Sequence, residues 1–205
     1  MGEDNKRRIG IMGGTFDPPH LGHLVSAEYV AEELLLEKVI FMPTGNFTYK
    51  DNKSTSPAQD RLYMTSLAVE GNGKFEVCDI ENSSAENSYT CFSLEKLHKI
   101  YTNSHFYFIV GADSLDYMEK WKNPERIFEL ASVVAVSRKG FTDEMSRDKA
   151  CFLKEKFGAD ICYVSIPNVD ISSSEIRKRV KSKKSIRYMV PEKVLYYIED
   201  KGLYL

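Results

Sequence analysis

Short apolar runs alternate along this chain with longer segments in which apolar positions recur every three or four residues. The runs predict strands at Arg7–Met12, Lys38–Met42, Lys74–Cys78, His105–Val110, Val133–Ser137 and Ile161–Ser165. The periodic segments predict helices at Leu21–Leu34, Ala58–Glu70, Thr90–Tyr101, Ser114–Glu119, Asp143–Phe157, Ser173–Lys181 and Pro191–Lys201. In the first of these, Leu24, Ala27, Val30, Ala31 and Leu34 carry the helical spacing. Alternation of strand and helix over most of the length predicts an α/β fold, a doubly wound parallel sheet with helices on both faces.

Two polar stretches, Thr44–Pro57 and Asp79–Ser88, interrupt the rhythm. Long loops at the carboxyl ends of parallel strands are where open α/β sheets hold ligands. No linker sets off a second independent domain, so residues 1–205 are expected to form one domain, with residues 166–205 as a C-terminal helical portion.

The chain has 205 residues, enough for a substantial core. A net charge of −2 gives no electrostatic case for bulk nucleic-acid binding, whereas a small anionic substrate needs only local positive charge. Cys78, Cys91, Cys151 and Cys162 form no Cys-x-x-Cys pair and read as reduced thiols of a cytoplasmic protein. Met1–Arg8 is polar, the apolar run after it is too short for a secretion signal, and no segment approaches the ~20 apolar residues of a membrane span, so no membrane association is expected.

The chemistry concentrates in residues 13–24, Gly-Gly-Thr-Phe-Asp-Pro-Pro-His-Leu-Gly-His-Leu. An apolar run precedes them and a periodic segment follows, giving strand, turn and helix. Gly13 and Gly14 lack a Cβ that would keep a phosphate from the backbone N–H groups, and a helix starting near His20 points its positive end at the same anion. His20 and His23 lie about one turn apart on one helix face, so both rings can reach one phosphate chain. Gly22 between them leaves room for a base or sugar. The two histidines could also be a zinc pair, but no third ligand lies nearby in sequence.

Three further constellations stand out. Gly111-Ala112-Asp113-Ser114 follows an apolar strand, where Asp113 or Ser114 could equally be a helix N-cap. Ile171-Ser172-Ser173-Ser174-Glu175-Ile176-Arg177 contains a Ser-x-x-Glu capping box from Ser172 to Glu175, and beyond it offers hydroxyls and a guanidinium to a phosphate. Asn87-Ser88-Tyr89-Thr90 precedes a helix whose N-terminus could receive a carboxylate.

Residues 13–24 resemble the Gly-Thr-Phe-Asp-Pro…His-x-Gly-His signature of the class I-like nucleotidyltransferases, and the rest of the chain is similar to the bacterial nicotinate mononucleotide adenylyltransferases. The resemblance spans nearly the whole chain and is most specific at 13–24 and 171–177. It implies a Rossmann-like sheet and an ATP site comprising Gly13, Gly14, Thr15, Phe16, His20, His23, Gly111, Asp113, Ser114, Arg138, Ile171, Ser172, Ser173 and Arg177. It assigns the pyridine nucleotide to Lys50, Tyr89, Thr90 and Trp121, the tryptophan stacking on the ring. Two departures fall on the acceptor side. Asn46-Phe47-Thr48-Tyr49-Lys50 replaces the family's Pro-Pro-His-Lys, keeping the cation and losing the histidine, and the second loop carries Glu81 and Glu86 where an arginine is common.

The reaction so implied joins ATP and nicotinate mononucleotide, releasing pyrophosphate, with Thr15, His20, His23 and Arg177 as catalytic residues. Magnesium is expected through the phosphates of ATP and not through protein ligands. The rivals are a related transferase acting on phosphopantetheine or a phosphorylated alcohol, and a nucleotide-binding sensor without catalysis. Self-association is left open by the sequence.

Overall fold

The computed structural model describes residues 6–45, 55–82, 88–138 and 144–205. Among them six strands form one sheet in the order β3-β2-β1-β4-β5-β6. The strands are β1 (Arg7–Gly14), β2 (Lys38–Pro43), β3 (Phe75–Val77), β4 (Ser104–Gly111), β5 (Ala131–Arg138) and β6 (Ile161–Ile166). The helices are α1 (Leu21–Glu33), α2 (Ala58–Val69), α3 (Thr90–Ile100), α4 (Pro124–Leu130), α5 (Glu144–Phe157), α6 (Ser173–Lys181) and α7 (Glu192–Lys201). The strand order reverses on passing from β1 to β4, which makes this the Rossmann-like doubly wound α/β arrangement that the sequence predicts.

The residues group into two compact units. The first comprises Met1–Gly13, Ala27–Ile40 and Tyr89–Asn168. In it β1 pairs in parallel with β4, with Met12 opposite Ile109, and β4 with β5 and β5 with β6 likewise run parallel. Ile9, Ile11, Phe106, Val133, Val134 and Ala135 have no exposed surface, as expected of strands covered on both faces. β6 sits at the sheet's edge and alternates, with Val164 and Ile166 buried while Tyr163 and Ser165 are exposed.

Two expectations need correction in this unit. Residues 114–119 do not form an α-helix but two 3₁₀ turns, Ala112–Asp116 and Met118–Lys120. α4 was not expected at all. Its signals are Asn123, which turns the chain in the left-handed region at φ 47°, and Pro124 in the first turn.

The second unit comprises Gly14–Ser26, Phe41–Ser88 and Val169–Leu205. Its core joins α2, α6 and α7 through Met64, Ala68, Ile176, Ile186, Val190, Val194, Leu195 and Ile198. α7 ends at Gly202, in the left-handed region at φ 60°, with the Leu203 N–H donating to Ile198 O at 3.0 Å. That stop directs Tyr204 back into the unit, where its hydroxyl donates to Asp17 Oδ1 at 2.6 Å.

Candidate active site

The turn after β1 is held by its carbonyls. Gly14 O accepts from both the N–H and the hydroxyl of Thr44 at 2.8 and 3.1 Å. Thr15 O accepts from Arg61 Nη1 at 2.9 Å, Asp17 O from Arg177 Nη1 at 2.7 Å, and Pro18 O from the Ser173 hydroxyl at 2.8 Å. Inside this turn Phe16 sits at φ 50° and the Asp17–Pro18 peptide is cis. A left-handed bulky residue costs about 1–3 kcal/mol and persists only where its surroundings over-determine it. Here they do, because the buried Phe16 ring packs edge-on to His23 at 5.0 Å and against Phe41 at 5.7 Å.

α1 begins where the sequence places it. His20 is its N-cap, with the His23 N–H donating to His20 O at 3.0 Å. The His20 N–H donates in return to His23 Nδ1 at 3.2 Å. This is the backward half of a capping box with histidine in the usual Glu position. Because Nδ1 accepts, neutral His23 carries its proton on Nε2, where it can donate to a ligand. The two rings stack at 3.6 Å between centroids. His20 is 7% exposed, and its Nδ1 is buried with no hydrogen-bond partner among the described residues. Burial pulls the His20 pKa down to about 4, and burial together with the neighbouring His20 holds His23 well below its ordinary value.

Two details depart from expectation. The space over Gly22 is taken by the His20 ring, since a Cβ there would meet Nδ1 and Cε1 at 3.0 and 3.1 Å, so this glycine admits the histidine and not a base or sugar. The Leu21 N–H, one of those expected to face an anion, donates to Met189 O at 3.0 Å.

α6 carries the predicted cap, the Glu175 N–H donating to Ser172 Oγ at 3.2 Å. One turn on, Arg177 divides its guanidinium between Asp17 O and the Ser174 hydroxyl at 3.3 Å, and lies 4.0 Å from Asp17 Oδ2. Ile171 O faces Gly22, 3.7 Å from where its Cβ would stand. The second unit therefore brings together Thr15, Phe16, His20, His23, Ile171, Ser172, Ser173 and Arg177.

Beside them lies a buried polar cluster that the sequence reading missed. Arg61 is 1% exposed, and besides Thr15 O its guanidinium donates to Ser56 O at 3.1 Å and to Gly45 O at 3.2 Å. Asp17, equally buried, accepts from the Ser56 N–H at 3.3 Å and from Tyr204. Burial works against the charge on Arg61, while Asp17, Tyr204 and Glu81 help to keep it. Burial and then Asp17 raise the Tyr204 pKa, so its hydroxyl stays a donor. Glu81, expected to face the acceptor, is buried, with Oε2 accepting from the Gly45 N–H at 3.4 Å. The signal for Arg61 was its place in the stripe Arg61, Met64, Thr65, Ala68, which the helix buries.

Gly14 belongs to the second unit as well, and the first unit holds Gly13, Tyr89, Thr90, Gly111, Asp113, Ser114, Trp121 and Arg138. Gly13 and Gly111 lie at the carboxyl ends of β1 and β4. Gly111 is the N-cap of the first 3₁₀ turn, and no side chain caps it, so neither Asp113 nor Ser114 plays that part. The Asp113 carboxylate folds over Gly111, 2.5 Å from where a Cβ would stand. Trp121 packs edge-on to Phe108 at 6.1 Å. Tyr89 is the extended N-cap of α3 and Thr90 its first residue, with no side-chain cap and no acidic residue in the first turn. Arg138 ends β5. Lys50 and Glu86 lie outside the described residues.

Among the described residues no three His, Cys, Asp or Glu side chains stand close enough to hold a metal. No helix among them is long and apolar enough to cross a membrane.

Comparison with known proteins follows the same line. The cytidylyltransferase-like family model matches residues 11–179. A "Probable nicotinate-nucleotide adenylyltransferase" of Desulfitobacterium hafniense (strain DSM 10664 / DCB-2) is 43% identical over 97% of this chain and 96% of its own. One of the same name from Lachnoclostridium phytofermentans is 41% identical over 97% of this chain and the whole of the other. Among solved structures, the Plasmodium falciparum nicotinic acid mononucleotide adenylyltransferase complexed with NaAD has the same fold, with a TM-score of 0.77 at 22% identity and 97% of each chain covered.

Proposed function

The chain belongs to the cytidylyltransferase-like family, and we propose that it is a nicotinate-nucleotide adenylyltransferase, joining ATP and nicotinate mononucleotide into the deamido dinucleotide of NAD biosynthesis. Full-length relatives at about 40% identity that carry this name support the substrate pair. The observation that carries the chemistry is the stacked His20–His23 pair at the start of α1, with a buried ring nitrogen still lacking a partner.

A phosphate oxygen of the mononucleotide attacks the α-phosphorus of ATP, and the bond from that phosphorus to the α,β-bridging oxygen breaks to release pyrophosphate. Such a displacement asks of the protein mainly positioning and charge stabilisation. Neutral His23 gives an Nε2–H donor, and His20, stacked on it, brings a second imidazole to the same phosphates. An anion beside these rings favours their protonated forms, so both become stronger donors once ATP arrives. Thr15 and the 13–16 backbone receive the incoming phosphate, with the carbonyls of this turn bound on their own side. Arg177 steadies the leaving pyrophosphate, and Ile171, Ser172 and Ser173 shape its surroundings.

Gly111, Asp113, Ser114 and Arg138 take the adenosine portion, and Lys50, Tyr89, Thr90 and Trp121 the pyridine nucleotide. Magnesium, when bound, neutralises phosphate charge. Asp17 is already committed to Ser56 and Tyr204, which suits an ion held by phosphate oxygens and water. The chain acts as one catalytic domain in the cytoplasm.

The test is pyrophosphate release from ATP and magnesium with nicotinate mononucleotide, nicotinamide mononucleotide or phosphopantetheine. Release with nicotinate mononucleotide is expected. Release only with phosphopantetheine, or ATP binding without release, overturns the reading in favour of one rival or the other.

A further inference from the structure

The Arg61 guanidinium donates to three backbone carbonyls. Its three donating nitrogens reach Thr15 O in the phosphate turn and Gly45 O and Ser56 O in the first polar stretch. These segments are far apart in sequence, and a planar guanidinium fixes all three in one geometry. A second thread runs beside the first, because the Asp17 carboxylate of the same turn accepts from the Ser56 N–H. Gly45 is locked as well, its N–H bonded to Glu81 Oε2 at 3.4 Å and to the Ser88 hydroxyl at 3.1 Å, while a Cβ there would overlap the Glu81 carbonyl. A movement of Thr15 or Asp17 therefore strains the hydrogen bonds that tie them to Gly45 and Ser56.

We propose that Arg61 is a positioning residue that couples the phosphate turn to Gly45 and Ser56, so that ATP binding and acceptor binding strengthen one another. The inference rests on the reading above, in which the turn receives ATP phosphates and Lys50, which lies between Gly45 and Ser56 in sequence, serves the acceptor. Coupling of this kind is reciprocal and is measured as a ratio of dissociation constants. Lysine keeps the charge but, as a point donor, cannot span three carbonyls.

The experiment titrates an ATP analogue with a methylene group between the α- and β-phosphorus, by calorimetry, without and with saturating nicotinate mononucleotide. In the wild type the mononucleotide should tighten the analogue at least about fivefold. In Arg61→Lys that factor should fall to within about twofold of one, whereas Val194→Ala, which loosens the helical core without touching the cluster, should keep the wild-type factor. Tyr204→Phe removes one hydroxyl from Asp17 and should halve the factor or more. If Arg61→Lys does not fold, this variant decides. A wild-type factor of one, retention of the factor in the folded cluster variants, or its equal loss in Val194→Ala overturns the proposal. A factor of one in a wild type that releases pyrophosphate leaves the enzymatic reading standing, whereas no release at all removes both.

Discussion

The rings of His20 and His23 stack at 3.6 Å between centroids while the His20 N–H donates to His23 Nδ1, so one pair of residues caps α1 and holds together the two imidazoles that the proposed mechanism directs at a phosphate. Replacing either ring by Ala removes a donor to the transferring phosphoryl group, and turnover should fall by ~10²–10³-fold. His23→Ala also removes the backward half of the cap, so its melting temperature should drop further than that of His20→Ala. Steady-state turnover within a few-fold of wild type for both variants overturns the catalytic assignment.

Burial holds the pKa of His20 at about 4 against an ordinary 6.5, so the unfolded chain takes up this proton more readily than the folded one. Stability from this group is therefore fully present above pH 6.5 and is lost as the pH falls from there toward about 4. The depression corresponds to roughly 3 kcal/mol, and the lowered pKa of His23 acts in the same direction. Urea melts of the ligand-free protein across this range should show a shallower acid loss in His20→Asn than in the wild type. Superimposable pH profiles would refute the buried neutral state.

Arg177 already donates to Asp17 O and the Ser174 hydroxyl, so Arg177→Ala removes a tie on the turn after β1 together with the cation proposed to meet the nucleotide. ATP affinity and turnover should fall together, because the guanidinium meets phosphates already present in the ground state. Unchanged ATP affinity in a direct titration would leave Arg177 a purely structural role.

The sheet was legible in the sequence because parallel strands covered on both faces are nearly continuous apolar runs, as Val133–Ala135 shows. The turn after β1 and the cap of α6 were legible because caps and glycines act over a few residues. α4 escaped because seven residues hold less than two full turns of periodicity. Arg61 escaped for a different reason, since whether a lone cation in an apolar stripe points to solvent or into three carbonyls is decided by segments distant in sequence. Tyr204 meets Asp17 across 187 positions, and no local pattern announces such a pair. The space over Gly22 was legible as space, while its occupant, the His20 ring, followed only from packing.

On the proposed function, the acceptor's charge is read at α3. This helix starts at Thr90 from the extended backbone of Tyr89, with no side-chain cap and no acidic residue in its first turn, so nothing in that turn already neutralises the positive end of its dipole. Nicotinate brings a carboxylate to such a site and nicotinamide a neutral amide. A charge-assisted hydrogen bond in place of a neutral one favours the acid by ~1–3 kcal/mol, or about one to two powers of ten in specificity. An acidic residue placed at the helix start should occupy the positive end itself, so Thr90→Asp should lower kcat/KM for nicotinate mononucleotide more than for nicotinamide mononucleotide. Side-by-side specificity constants at saturating ATP measure both effects. Equal values in the wild type would overturn acid selection at α3 while leaving adenylyl transfer in place, and an equal loss of both substrates in Thr90→Asp would move the source of the preference away from this helix.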